Sequence, residues 1–321
     1  MDCVSGRRYA VSPETVAALD ELDGARQPPR ALLKPLVDAG LVNSRALAHW
    51  AWSTWMPEAA FFHFGTRAST FETDGVRRNR QLRQQAKYSP QPSPIKSTRG
   101  KRTKLPPPSR LGELSQILRG RRTWRNFSRK KIALGDLATL LSLTFGVQHR
   151  GTVKGQGPVV LKTSPSAGAR HPVEAYVLAA NVDGLAAGVY HYHCGAHELV
   201  AIKQGLSKSA LRSLLGDQPY FADAGAAVVM SAVFARSMWK YPSPRAYRSI
   251  LIDAGHLGQT FCLAATACGL APFSTMAFRE QDLDATLGID GVNESAMYIV
   301  GVGARHASTA RPGRLGLRGK A

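Results

Sequence analysis

Short apolar runs rich in β-branched residues recur through the C-terminal two thirds of the chain. They read PVVLKT, VEAYVLAANV, GVYHYHCGAHELVAIK, AAVVMSAVF and SAMYIVGVG. Such runs, bounded by Gly, Pro and Asn, predict strands, and the third predicts a hairpin. Helical patterns alternate with them without a strict βαβ repeat, which favours an α+β fold with helices packed on a mostly antiparallel sheet. No G-x-G-x-x-G follows a first strand, so we expect no Rossmann dinucleotide site.

Three helices are predicted in the same region. SRLGELSQILRGRR begins at the cap Ser109 and ends at Gly120, and ALGDLATLLSLTFG ends at Gly146. The third runs from about 246 to 268, and its apolar residues cover most of its circumference. A helix that is apolar all round is buried in a large core or at an oligomer interface. The turn before it, which holds Lys240 and Tyr241, is therefore expected to enter the interior.

Residues 1–67 predict a separate N-terminal module. A short strand, a helix capped at Ser12 and a second helix ending at Gly40 indicate a winged-helix-like unit. Such units bind DNA or clamp a peptide, and the pattern does not choose between them. The tryptophans and phenylalanines clustered in residues 49–67 favour packing between modules over an aromatic wall for a ligand.

A basic, Pro-rich segment, residues 68–108, is predicted to be a linker. The chain has a formal net charge of +20, and residues 77–131 hold 18 Lys or Arg against one acid, Glu113. This charge suits an acidic peptide, nucleic acid or anionic lipid, but also a solvated linker. The segment lacks the interleaved aromatics of a single-strand binder.

Other compositional features indicate a cytoplasmic protein. No run of eighteen apolar residues predicts a membrane span, and the N-terminus lacks the apolar middle of a secretory signal. The four cysteines show no C-x-x-C spacing, so we expect neither a disulfide framework nor a zinc ribbon.

Three motifs suggest chemistry, each with a plainer alternative. RRTWRNF (121–127) offers guanidinium groups and a hydroxyl suited to a phosphate ester, or merely extends the basic segment. The small residues 164–169 let backbone amides approach a flat ligand, or form a tight surface loop. His191, His193, Cys194 and His197 suggest zinc, but an ordinary hairpin with exposed histidines is favoured, and no metal is expected.

Taken in order, these motifs resemble the flavin-dependent nitroreductase superfamily. The resemblance covers residues 109–305 and rests on RRTWRNF, PSAGARHPVEAY, GVYHYHCGAHEL, KY ahead of RAYRSILIDAGHLGQTFCLAA, GLAPF and IVGVG. Within the superfamily the pattern is most similar to SagB-type azoline dehydrogenases. It implies that residues 109–321 form a nitroreductase-like FMN-binding domain. It also implies an intertwined homodimer with two FMN molecules at the subunit interface and the long helix running through it.

The resemblance also implies roles for individual residues. Arg121, Arg122, Thr123 and Arg125 would hold the FMN phosphate and ribityl chain, and Gly303 and Arg305 would return to the phosphate. Pro165, Ser166, Ala167 and Gly168 would lie against the isoalloxazine from the partner subunit, and Thr275, Met276 and Ala277 would offer it backbone contacts. Lys240 and Tyr241 correspond to the catalytic base motif. Nearby arginines favour a deprotonated lysine and a tyrosinate alike, so either can take the proton.

The implied function is oxidation of thiazolines or oxazolines to thiazoles or oxazoles in a ribosomally made precursor peptide. The implied partners are that peptide and a cyclodehydratase complex. The N-terminal module either binds the leader of the peptide or only docks to partner enzymes. DNA binding by that module is the rival, and no nucleic-acid partner is expected. Two alternatives remain for the whole chain: a general NAD(P)H-dependent nitro or quinone reductase, and a non-catalytic peptide-binding scaffold.

Overall fold

The computed structural model describes residues 52–55, 58–67, 75–89, 93–94, 107, 112–154, 157–218, 221 and 223–306. The winged-helix prediction concerns mainly residues 1–51, which lie outside the described residues, as do most of the predicted linker and the predicted cap Ser109. No helix in the described ranges is long and apolar enough to cross a membrane.

A six-stranded antiparallel sheet, in the order β7-β6-β4-β8-β10-β9, forms the centre of the molecule. Its strands are β4 (Val173–Ala179), β6 (Gly188–His193), β7 (Glu198–Gln204), β8 (Ala226–Val233), β9 (Ala271–Thr275) and β10 (Glu294–Gly303). Two short pairs flank it: β1 (Ile132–Ala133) with β5 (Val182–Asp183), and β2 (His149–Val153) with β3 (Gly157–Leu161). The predicted strand runs and the α+β class are confirmed. The edge strand β9 was not predicted; its Pro272 is tolerated because an edge strand needs fewer N–H donors.

Eight α-helices are described. They are α1 (Glu58–Thr66), α2 (Gly75–Tyr88), α3 (Gly112–Gly120), α4 (Leu134–Phe145), α5 (Lys208–Leu214), α6 (Phe234–Met238), α7 (Tyr247–Ala267) and α8 (Glu280–Leu287). The ends of α3 and α4 agree with the prediction, and Gly269, at φ 71°, follows α7 as expected. Helix α2 lies within the segment predicted to be a linker, and its described side chains are exposed.

Both faces of the sheet are covered. Alternate residues of β4 and β8 pack against α4 and α7 on one face, and against α5 and α8 on the other. Strand β8 is buried along almost its whole length, which explains its nearly continuous apolar sequence.

Helix α7 is not buried on every side in the single chain. One face, which includes Ile250, Leu257 and Phe261, packs into the core. The opposite face is open, with Leu251 38% and Ile252 57% exposed. The alternative that a single-chain core buries the whole helix is therefore wrong, and burial at an oligomer interface stays a prediction.

A third core joins the N-terminal segment to the rest of the molecule. Trp52 and Trp55 are fully buried, and Trp52 stacks on His63 with ring centroids 4.9 Å apart. These rings pack against Phe234 and Tyr247. The aromatic cluster thus serves packing, as the sequence favoured, and it anchors residues 52–67 beside the start of α7.

His63 is held neutral inside this core. Its Nδ1 lies 2.9 Å from the Tyr247 hydroxyl, and burial, assisted by the charge of Arg67, lowers the pKa of His63 to about 3. A folded-state pKa below the unfolded value means that stability is complete above about pH 6.5 and is lost as the pH falls toward 3. We expect this group alone to lower the free energy of unfolding by about 2 kcal/mol between pH 8 and pH 5.

In the variant His63→Gln, the free energy of unfolding should fall by about 2 kcal/mol less between pH 8 and pH 5 than in wild type. This holds whatever the stability of the variant at pH 8. His149→Gln, at an exposed histidine, should keep it. Chemical denaturation across this pH range measures both, and parallel curves for wild type and His63→Gln would contradict a neutral buried His63.

Candidate functional site

The turn that carries Lys240 and Tyr241 is fixed from two directions. The backbone N–H groups of both residues donate to the carbonyl oxygen of Ser237, at 3.2 and 2.9 Å, which ties the turn to the end of α6. From the other side, the indole Nε1 of the buried Trp55 donates to the carbonyl oxygen of Tyr241 at 2.7 Å. The N-terminal segment therefore helps to set the position of this pair.

The pair lies directly on the loop that contains Gly168. Lys240 Nζ donates to the Gly168 carbonyl oxygen at 3.4 Å. A Cβ atom at Gly168 would lie 2.8 Å from Lys240 Nζ and would overlap the Tyr241 hydroxyl. Gly168 also has left-handed angles, φ 57° and ψ 24°. Position 168 therefore needs glycine for two reasons: its left-handed backbone and the lack of space for a Cβ atom. The structure thus brings together the Gly168 loop and the Lys240–Tyr241 pair, which were predicted separately.

A buried carboxylate that the sequence reading missed holds this loop. Asp253, on α7, is 4% exposed and accepts a hydrogen bond of 2.5 Å from the Ser166 hydroxyl. Burial raises the pKa of Asp253, while the bonds from Ser166 and from the Ala167 N–H oppose that shift. The signal available in the sequence was a single acid in an otherwise apolar helix. Ala169 and His171, at φ 54° and 44°, keep left-handed angles that are rare outside glycine, so the loop is held by its contacts.

The predicted phosphate-binding residues meet at one end of β9. Trp124 N donates to Pro272 O at 2.9 Å, and the Arg305 guanidinium lies 5.3 Å from the centre of the Trp124 ring. Gly303 is pressed against Phe127, where a Cβ atom would approach within 2.5 Å. Residues 121–127 and 303–305, far apart in the sequence, therefore share one edge of the sheet.

Within this group the guanidinium groups point in different directions. Arg122 folds back, and its Nη1 donates to the carbonyl oxygens of Arg119 and Arg121 at 2.7 and 2.8 Å. Arg121 lies near Cys262 of α7, where its charge opposes the burial that raises the pKa of that thiol to about 11. Arg305 Nε donates to Leu270 O at 2.9 Å. Neither Arg121 nor Arg305 forms an ion pair within the described ranges. Such donors fit an incoming phosphate monoester.

The predicted ring-contact residues lie at the other end of β9. Thr275 Oγ1 accepts from the N–H of Ala277 at 3.0 Å, which tightens the turn after the strand. Met276 is 65% exposed and lines a cavity of about 300 Å³ with Tyr247 and Leu251. A strand of this length spans about 13 Å, so an elongated ligand with a phosphate at one end suits this edge.

Helix α7 separates the two groups of one chain. Asp253 contacts the Gly168 loop, whereas the carbonyl oxygen of Thr266 lies 3.5 Å from Arg305 Nη2. Thirteen residues of helix correspond to about 20 Å along its axis. We call residues 121–125 together with Arg305 the arginine group. In a single chain, the arginine group and the Lys240–Tyr241 pair therefore lie at opposite ends of α7.

The hairpin histidines have three different partners. His191 Nε2 lies 2.9 Å from a Glu174 carboxylate oxygen, His197 Nδ1 lies 2.7 Å from the Tyr192 hydroxyl, and His193 Nδ1 accepts from the N–H of Ala196. In the described part of the chain, no group of three or more His, Cys, Asp and Glu side chains is placed to hold a metal ion.

Replacement of Gly168 by alanine should displace the Lys240–Tyr241 pair. The left-handed backbone costs alanine about 1–2 kcal/mol, and the overlap with Tyr241 adds to that cost. Gly288→Ala is the matched control, because Gly288 has φ 74° and nothing lies within 4 Å of its virtual Cβ.

Denaturation should show a larger loss of stability for Gly168→Ala than for Gly288→Ala, and crystal structures should show a moved pair only in the former. Equal losses with an unmoved pair would contradict the steric argument.

Comparison with known proteins places these features in a family. The sequence profile of the Nitroreductase family matches residues 118–304. The chain is 36% identical over 168 residues to the trifolitoxin-processing protein TfxB of Rhizobium leguminosarum bv. trifolii, a match that covers 50% of this chain and 45% of TfxB. It is 25% identical over 307 residues to the trifolitoxin operon protein TfxC of the same organism, covering 88% of this chain and 84% of TfxC.

Among solved structures, a putative nitroreductase from Anabaena variabilis has a similar fold. The TM-score is 0.52 at 28% identity, and the match covers 61% of this chain and 39% of that chain. The chain thus spans less than half the length of TfxB and of the Anabaena protein.

Proposed function

Because the chain belongs to the nitroreductase family, we propose that it is an FMN-dependent oxidoreductase that oxidises thiazoline or oxazoline rings in a ribosomally made peptide to thiazoles or oxazoles. The observation that carries this proposal is the Lys240–Tyr241 pair, whose amine and hydroxyl are held together on the backbone of Gly168. The 36% identity to a protein named for trifolitoxin processing supports a substrate that is modified during biosynthesis.

The residues of the pair supply the proton-transfer half of this reaction. The C=N bond of an azoline acidifies the proton on its α-carbon, and Lys240 Nζ or Tyr241 Oη removes it as a general base. FMN, when bound, would supply the acceptor for the hydride that leaves the β-carbon; with both hydrogens removed, the ring would become aromatic. Trp55 and Gly168 fix the base against the loop, which confines it to one position.

The arginine group supplies the site for the cofactor phosphate. We assign the phosphate to Arg121, Thr123, Arg125 and Arg305, with Gly303 allowing the close approach of the backbone. Arg122 already donates to two carbonyl oxygens, so we assign it only a minor role in phosphate binding. Thr275, Met276 and Ala277 and the loop Pro165–Gly168 are proposed to contact the flavin ring.

Two features support a homodimer. The open apolar face of α7 exposes Leu251 and Ile252, and the separation of about 20 Å allows the two ends of α7 to serve different cofactors. In a dimer, the loop of one chain would meet the flavin held by the arginines of the other. A cytoplasmic complex with a cyclodehydratase and the precursor peptide belongs to the same proposal, as does binding of its leader by residues 1–67.

Loss of Arg305 should weaken the binding of FMN but not of riboflavin, which lacks the phosphate. Charge-assisted hydrogen bonds of this kind contribute about 1.5–3 kcal/mol, so Arg305→Leu should reduce the FMN affinity about 10- to 100-fold. Titration of the flavin-free protein, followed by flavin fluorescence, measures both ligands. Arg129→Leu, at a neighbouring exposed arginine, should change neither. A parallel loss for FMN and riboflavin would remove Arg305 from the phosphate site.

Loss of whichever member of the pair acts as the base should abolish most turnover without loss of the cofactor. We expect Lys240→Met or Tyr241→Phe to slow the oxidation of a thiazoline-bearing peptide by about 10²–10⁴ where the residue is the base. Mass spectrometry follows the loss of two hydrogens per ring. Lys130→Met and Tyr88→Phe, at exposed positions, are the controls.

Full activity in both pair variants would exclude this base assignment. Rapid bleaching of the flavin by NADPH, with no peptide turnover, would favour a general nitro or quinone reductase instead. A protein that takes up no FMN would favour a scaffold.

A further inference from the structure

A polar cavity of about 540 Å³ opens beside the Gly168 loop and has no role in the proposed reaction so far. It lies between the β2–β3 hairpin and the neighbouring ends of β4 and β6. Four cationic side chains line it: Arg150, Lys162, Arg170 and Arg236. Its wall also holds the carboxylates Glu174 and Glu294.

Both carboxylates are already engaged within the wall. Glu174 forms an ion pair with Arg236, and its other carboxylate oxygen lies 2.9 Å from Nε2 of His191. Glu294 accepts hydrogen bonds from the hydroxyl groups of Tyr176 and Ser231. Neither is therefore directed at the remaining cations.

The other three cations have no carboxylate partner among the described residues. Arg150 donates to the carbonyl oxygen of Gly195, and Arg170 stacks over the Trp239 ring at 5.0 Å. Like charges that share a cavity repel each other unless an anion enters. His171 in the wall reflects this field: burial lowers its pKa to about 4, and Lys162, Arg236 and Arg170 act in the same direction.

The cavity adjoins the reacting pair through one atom. The Gly168 carbonyl oxygen accepts from Arg170 Nε at 3.2 Å and from Lys240 Nζ at 3.4 Å. A group bound at Arg170 is thus separated from a group at Lys240 by a single carbonyl. Since an extended peptide advances about 3.3–3.6 Å per residue, a side chain two or three residues from the ring can reach the cavity.

We propose that this cavity binds the carboxylate of an aspartate or glutamate of the peptide substrate that lies within about three residues of the ring. This inference rests on the proposed function. Four cations against two carboxylates leave an excess of two positive charges. That excess attracts an anionic group, and the reach of about three residues from the ring suits a side-chain carboxylate of the peptide.

Binding tests the proposal separately from turnover. Peptides that carry one thiazole, and so cannot react, are made with Asp or Asn at each of the three positions on either side of the ring. At one or two positions the Asp peptide should bind about 10-fold or more tightly, as expected for a charge-assisted hydrogen bond. Lys162→Met should abolish this preference and leave the affinity for the Asn peptide unchanged. Lys130→Met, at an exposed lysine, should preserve it.

Three results would overturn the proposal: equal affinities for Asp and Asn peptides at every position, an Asp preference that survives Lys162→Met, or competition by NADPH that Lys162→Met removes. The corresponding thiazoline peptides then report turnover. An Asp preference in binding without any oxidation would overturn the proposed function but leave the cavity's ligand assigned. Oxidation without an Asp preference would overturn the assignment of the cavity's ligand but leave the proposed function standing.

Discussion

The hydrogen bond from Ser166 to the buried carboxylate of Asp253 fixes the part of the molecule on which the candidate site depends. Burial of a carboxylate is costly, and here the Ser166 hydroxyl and the Ala167 N–H offset part of that cost. The same bond ties a loop with left-handed residues to the rigid helix α7. Gly168 can then present its carbonyl oxygen to Lys240 and Arg170 at once. Without the Ser166–Asp253 bond, the Gly168 loop, which contacts both the pair and the cavity beside it, would not be held in one position.

The second support of the pair comes from outside the region that matches the family. That match begins at residue 118, yet Trp55 donates to the carbonyl oxygen of Tyr241 and Trp52 donates to that of Val292. Both tryptophans are fully buried, so the donor side of each bond is shielded from water. The N-terminal segment is therefore part of the support of the turn. A change that displaces Trp55 would alter the turn that carries Lys240 and Tyr241 through this one hydrogen bond, without any contact to substrate.

The sequence predicted the long regular elements well because their signals are local. Strand β8 and helix α4 have apolar patterns and glycine boundaries that can be recognised without knowing which other elements they pack against. Strand β9 was missed because APFST is short and contains a proline, which only its edge position permits. Asp253 was missed because its place as the one acid of a mainly apolar helix does not show whether it faces solvent or a partner; only the fold shows that Ser166 donates to it. The predictions for Lys240, Gly168 and Arg305 came from resemblance, whereas their contacts depend on residues far apart in the chain.

The distribution of site residues along α7 bears on how many chains one site needs. Within one chain, the loop contact at Asp253 and the Arg305 contact at Thr266 are separated by most of the helix. The exposed side of the helix carries Leu251 and Ile252 near its start, flanked by Arg248, His256 and Gln259. A long helix in water normally presents polar residues on its open side. Here that side exposes two large apolar side chains, Leu251 38% and Ile252 57%, between the two sets of site residues and the solvent. Association of two such faces would bury the apolar surface and bring each loop toward the arginine group of the other chain. In the proposed dimer, the burial of Leu251 and Ile252 and the assembly of the site would then be a single event.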